Sequence, residues 1–227
     1  MSDYFDIVGT IERHRRDWCN RYHTFRSWEH CYHFFGRRPI DRELACLHLA
    51  AYLANFGMYR GSSFLSTMEY RAHERAVKEL DDYSDCLRSV TLLNLEGRLD
   101  AVFSLKSRLK DSYATEINTR AATDVLITKI MMGALGCVPA FDRYLCIGLK
   151  ECGLPQSFSK KKYCEVLKFC KDELGDFEKA QRSLTQNGGV DYPLMRVVDI
   201  YFWQLGFEAA GRIEPGRSTP PSPPATS

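Results

Sequence analysis

The stretch GALGCVPAFDRYL, Gly133 to Leu145, places a single acid, Asp142, three residues after a proline and at the start of a helix-forming run. An acid at that point can cap the helix, because its carboxylate accepts the unpaired first-turn amides. It can equally act as a catalytic carboxylate, stabilising positive charge on a reacting carbon and orienting or deprotonating water. One more ionisable group stands nearby: Lys129 interrupts VLITKIMMGALG, a run that is apolar around almost its whole circumference. With Val125, Leu126 and Met132 as helical neighbours, Lys129 either stretches its stem to the surface, the commoner outcome, or stays inside with its charge disfavoured.

Two stretches mix aromatic faces with hydrogen-bonding groups and so could receive a planar ligand. GMYRGSSF supplies Tyr59, Arg60, Ser62, Ser63 and Phe64, and DIYFWQLG supplies Asp199, Tyr201, Trp203 and Gln204. Alone, the first reads more readily as a loop with a helix cap and the second more readily as core. Between Arg13 and Arg42 lie eight arginines against three acids, although the whole chain carries only +2. Guanidinium groups pair with phosphate bidentately, so Arg13, Arg15, Arg16, Arg37 and Arg38, with Arg143 beside the acid, are candidate phosphate contacts. A solvated basic helix face is the plainer reading of the same residues.

Other chemistries find less support. Cys19-x3-His23 and His30-Cys31-x-His33 could place metal ligands on adjacent turns, but their spacing is not that of a common zinc site, and no metal is expected. Serine-nucleophile, phosphate-loop and dinucleotide signatures are absent, and no cofactor is expected. The nine cysteines form no C-x-x-C pair, which speaks against an iron–sulfur cluster and for buried thiols.

The elements that position these residues read as helices throughout. RRDWCNRYHTFRSWEHCYHFF puts Trp18, Tyr22, Phe25 and Tyr32 at helical spacing, which predicts one aromatic, buried face. Asp41 caps RELACLHLAAYLANFG, and Gly57 can end it. Ser62 or Ser63 can cap a following helix. Further helices are predicted from SVTLLNL to SLKSRLKDSY, in TDVLITKIMMGALG and in FDRYLCIGLKEC. A single long one is predicted from Ser159 through QRSL, and a last one behind Pro193, a residue suited to a first helical turn. No alternation predicts a sheet. The expected organisation is an all-α domain over 1–211, followed by a Pro/Ser-rich tail over 212–227 that is disordered and dispensable for folding. A 44% hydrophobic content suffices for a sizeable core, and no uncharged apolar run reaches the roughly 18 residues of a membrane span. A cytoplasmic protein is therefore expected.

A buried apolar helix ending Ala-Leu-Gly, a short proline-containing turn and then Asp-x-Tyr-Leu opening a helix resembles the catalytic segment of the helix-hairpin-helix DNA glycosylases, over Val125 to Leu149. The resemblance implies a compact, two-lobed helical fold with Asp142 at the mouth of a cleft, acting on DNA without a cofactor; a monomer is expected, although no residue pattern fixes the oligomeric state. The superfamily's Leu-Pro-Gly-Val-Gly hairpin does not appear, INTRAATD standing there instead. Aligned on Ala-Leu-Gly, its lyase lysine falls at Val125, while Lys129, one turn on, points about 40° away around an ideal helix. Val125 at that place implies a monofunctional enzyme, with Lys129 as an alternative amine. The resemblance also extends to members acting on hypermodified phage DNA, and so to antiviral defence. Two other function classes stay open: a non-catalytic helical nucleic-acid-binding or regulatory protein using the arginine-rich segment, and an oligomerising protein using the aromatic face.

Overall fold

The computed structural model describes residues 6–18, 22–61, 63–88, 90–117, 122–188 and 191–213. Among them run ten α-helices: α1 (Ile7–Trp18), α2 (Ser27–Phe35), α3 (Arg42–Asn55), α4 (Glu74–Leu87), α5 (Leu99–Ile117), α6 (Asp124–Leu135), α7 (Arg143–Glu151), α8 (Lys160–Asp172), α9 (Leu174–Gly188) and α10 (Leu194–Ile213). The fold is all-α, with no strand among the described residues. None of these helices is long and apolar enough to cross a membrane.

Helix α6 lies at the centre because it has no polar side to turn outward: every residue from Leu126 to Leu135 is buried. The Thr123 hydroxyl accepts the Leu126 amide at its start, and Gly136, at φ +63°, ends it in the left-handed conformation that glycine adopts without strain. Helices α2, α3, α4 and α5 pack around it. Full burial of Leu126, Ile127, Ile130 and Leu135 stabilises by roughly 6–12 kcal/mol before conformational entropy is subtracted. Polar pins fix the register. The Tyr52 hydroxyl donates to the Lys129 carbonyl at 3.1 Å, the Trp28 indole N–H to the Met132 carbonyl at 3.0 Å, and Arg88 to the Ala134 carbonyl at 2.7 Å. Gly133 leaves space for the Tyr52 ring, since a Cβ there would lie 2.3 Å from Tyr52 Cε1.

Two glycines bring α7 against α10. A Cβ on Gly148 would sit 1.9 Å from the Phe202 carbonyl oxygen, and one on Gly206 would sit 1.8 Å from the Tyr144 carbonyl oxygen. The two backbones therefore touch where side chains would hold ordinary helices 8–10 Å apart between axes. The start of α7 is thereby held beside the stretch of α10 around Gly206. Helix α1 lies across α9 and α10.

Four local expectations are corrected, the first being that SVTLLNL opens no helix: residues 92–94 form a turn, Glu96–Arg98 a 3-10 turn, and α5 begins only at Leu99. The aromatic run is not one helix: α1 stops at Trp18, a 3-10 turn covers Thr24–Arg26, and α2 begins at Ser27. The His23 ring accepts the Phe25 amide at that turn, and Tyr22 is 85% exposed and outside the core. Ser63 caps only the 3-10 turn Phe64–Thr67, so α4 starts later, at Glu74. The long helix opened by Ser159 breaks at Glu173 into α8 and α9. Cys19 and Arg21, Ser62, and 214–227 of the tail lie outside the described residues.

Candidate functional site

The turn from α6 to α7 is fixed by its own backbone amides. The Ala140 amide donates to Asp199 Oδ1 at 2.7 Å, and the Phe141 amide donates to the Thr128 hydroxyl at 2.9 Å. Asp142 follows in extended conformation, φ −87° and ψ −178°. Its two oxygens do different things: Oδ1 accepts the Leu145 amide at 3.1 Å, capping α7, and Oδ2 accepts Lys129 Nζ at 3.0 Å. Lys129 does not reach the surface, as the commoner behaviour of lysine had suggested. It is only 5% exposed, and its ammonium also faces the Phe56 ring at 5.3 Å. The acid waits thirteen residues on, across the turn, so the ammonium is paired inside and need not escape to water.

A second buried ion pair lies alongside. Arg196 Nη1 donates to Asp199 Oδ2, one turn apart on α10, with both side chains buried. Burial raises the Asp199 carboxyl above the usual carboxylate range, against the opposing charge of Arg196. The Arg196 guanidinium rests against the rings of Trp28 and Phe56, 5.1 and 5.8 Å from their centroids. From α1, His14 Nδ1 meets Gln204 Oε1 at 3.2 Å, the Gln204 amide donates to Glu208 at 2.8 Å, and Arg13 holds Glu208 at 3.0 Å. Burial pushes His14 down to about 3, with the charge of Arg196 adding to it, so the imidazole is neutral at pH 7.

His14, Lys129, Asp142, Arg196 and Asp199 line one small cleft whose walls include Phe25, Phe56, Ala140, Ile200 and Trp203. The space within it open to a water is about 10 Å³, near the least that holds one water molecule. Half-buried Trp203 stands edge-on to His14, Trp18, Phe25 and Tyr144 and stacks on Phe207 at 5.2 Å. Two wider depressions lie elsewhere. One, over α4 and α5, contains the Arg108–Glu79 ion pair, and the other borders Gln181 and Asp191. Neither gathers buried charges and aromatic rings as the small cleft does.

Of the residues singled out in the sequence, the fold brings together Asp142, Lys129, Asp199 and Trp203, with Gln204 one hydrogen bond behind them. Tyr201 goes elsewhere: it is fully buried beside Phe177 and Phe202, because its position on α10 turns it from the cleft. Tyr59 turns to His73, 2.7 Å away, and neither it, Arg60 nor Ser63 lines the cleft. The arginines are mostly engaged with acids or rings: Arg13 with Glu208, Arg15 with Glu12, Arg16 with Asp17, Arg38 with Asp81, Arg37 over Phe34 and Arg143 over Tyr144. Exposed pairs of this kind are worth little, about 0–1 kcal/mol, so a phosphate can replace the acid. Among the described residues no group of three or more side chains able to hold a metal comes together.

Sequence reasoning passed over His14, Arg196 and Phe56. Arg196 did carry a signal, since Arg-x-x-Asp inside an apolar helix pairs a cation with an acid on one face. His14 carried none, because its burial depends on how α1 crosses α10. No family model matches the chain, and no curated protein and no solved structure matches it.

Proposed function

We propose that the chain is a DNA glycosylase that hydrolyses the bond between a damaged or modified base and its sugar, leaving an abasic site. The observation that carries this reading is the placement of Asp142: a carboxylate fixed by its own helix start, backed by a buried lysine, on the wall of an aromatic cleft. Breaking an N-glycosidic bond builds positive charge on the sugar, and a carboxylate held against that face stabilises it and directs water to the same carbon. The base must leave the helix stack, and Phe25, Phe56 and Trp203 offer rings to receive it. As the cleft is water-sized, the half-buried Phe25 and Trp203 move aside when a base enters. In this reading the arginines Arg13, Arg15, Arg16, Arg37, Arg38 and Arg143 hold the DNA backbone, and the helices compose the two-lobed helix-hairpin-helix arrangement. Hypermodified phage bases are among the substrates it admits, with antiviral defence as the setting, and the chemistry requires no cofactor. Defined DNAs carrying modified bases, treated with the protein and then with alkali to cleave abasic sites, test it.

A second reading is favoured by the 3.0 Å contact between Lys129 and Asp142. Asp142 can take a proton from Lys129, whose amine then attacks the sugar carbon as the base departs with the bonding electrons. Sugar ring opening yields an imine that borohydride reduces to a stable adduct. A trapped protein–DNA adduct lost in Lys129→Ala selects this lyase reading, and intact abasic strands without an adduct select the monofunctional one. A non-catalytic DNA-binding protein would release no base at all.

A further inference from the structure

Two groups in the cleft have hydrogen-bonding capacity that the protein does not use. Arg196 is 5% exposed, and its Nε–H is fully covered yet has no acceptor among the described residues. Among the described residues the guanidinium makes one hydrogen bond, from Nη1 to Asp199. An unsatisfied N–H on a buried cation is costly, and native proteins tolerate few of them. The second group is His14. Glu208 accepts and cannot donate, so the Gln204 amide nitrogen must face it and the amide oxygen must face His14. His14 Nδ1 is therefore the donor. On a neutral ring Nε2 is then a bare acceptor, and among the described residues the ring's hydrogen bond is the one at Nδ1.

Arg196 and His14 both line the same cleft, near enough that the charge of Arg196 acts on His14. Resting on the glycosylase reading, we infer that Arg196 and His14 are the recognition pair for the extruded base and that the base carries a ring carbonyl beside a ring N–H. The carbonyl oxygen takes the Arg196 N–H groups, and the ring N–H donates to His14 Nε2. An exocyclic carbonyl has two projecting lone pairs and can accept from Nε and a terminal nitrogen together. Cytosine keeps one ring carbonyl, but the ring nitrogen beside it is a bare acceptor that would face the bare His14 Nε2, and adenine has neither the carbonyl nor the N–H. Oxo bases of the uracil and hypoxanthine kind fit the pair, and amino bases fit it poorly. Phe56, already against the guanidinium, offers a ring to the face of the base.

The test reads binding alone, without bond cleavage. Full-length protein labelled with 15N at histidine is titrated with 1-methyluracil and 9-methylhypoxanthine, whose methyl groups stand where the sugar would be. At least one of them is expected to move the His14 Nε2 resonance. The same compound methylated also at its ring N–H, and 1-methylcytosine, are expected to bind about tenfold or more weakly, because a buried acceptor is then left unpaired. Arg196→Lys, which keeps the charge and loses the planar fork, is expected to weaken the oxo base by a similar factor. No movement with either oxo base overturns the inference, as does an equal response to the blocked compound or to 1-methylcytosine. Should Arg196→Lys fail to fold, the comparison of probes on the unaltered protein still decides. Oxo-base binding at His14 without base release from any DNA keeps this pair and removes the glycosylase reading. Base release without the expected binding discrimination does the reverse.

Discussion

Lys129 and Asp142 form a buried ion pair in which the acid is shared, one oxygen serving the ammonium and the other capping α7 at Leu145. An asparagine cannot reproduce both bonds, since only one of its two terminal atoms accepts. Asp142→Asn is therefore expected to cost about 1–3 kcal/mol of stability, read from urea unfolding, besides any loss of activity. Paired with Lys129→Met, it is expected to cost less than the sum of the single changes, with a coupling of about 0.5–3 kcal/mol. Strict additivity would show that the pair does not form in solution.

The contact of α7 with α10 predicts a sharp contrast among glycines. Gly148→Ala or Gly206→Ala would push a methyl group into a facing carbonyl, so each is expected to destabilise by about 3 kcal/mol or more and to draw Asp142 away from Asp199. Gly211→Ala, on the same helix with no atom within 4 Å of the added carbon, is expected to stabilise by up to about 1 kcal/mol. Thermal or urea midpoints of the three variants check the ranking. Equal effects would contradict the backbone contact.

Much of this architecture is legible in the residues. Asp41, Thr123 and Asp142 cap helix starts with their side chains, Ser159 stands at another start without such a bond, and Gly136 marks the end of α6, because helix ends are local chemistry that spacing reveals. The break at residues 22–23 was hidden, since the aromatic period continues across it and periodicity alone cannot see a turn. Lys129 stood out as an anomaly, but its direction depended on an acid across the turn. Arg196, His14 and Phe56 converge only after α1, α3 and α10 have packed, and no local pattern encodes that meeting.

Acid should weaken the fold through two histidines. Burial pushes His14 down to about 3 and His73 to about 4, whereas both titrate near 6.5 in the unfolded chain. Between these values the unfolded chain takes up protons that the folded chain refuses. Their contribution is therefore complete above pH 6.5 and is lost as pH falls, at up to about 1.4 kcal/mol per pH unit for each. Asp199, raised by burial, acts with the opposite sign above 3.8, so the slope is read as the difference between wild type and His14→Phe. Urea midpoints from pH 7.5 to 5 are expected to fall more steeply for wild type, and parallel slopes would contradict the neutral buried ring.

DNA binding should weaken with salt through the arginines. Each phosphate contact removed is expected to lower the slope of log affinity against log salt by about one unit. Arg13→Gln, Arg37→Gln and Arg38→Gln, combined, test this by fluorescence anisotropy. An unchanged slope would place the DNA surface elsewhere.

The most direct measurement is base release from duplexes carrying defined modified bases, with alkali revealing abasic sites, run on wild type and on Asp142→Asn at a temperature where urea unfolding shows both to be folded. The account predicts release by wild type and a rate about 10²- to 10³-fold lower for Asp142→Asn, with DNA affinity nearly unchanged. Equal rates for the two proteins would contradict the role assigned to Asp142, and no release by wild type from any substrate would contradict the glycosylase itself.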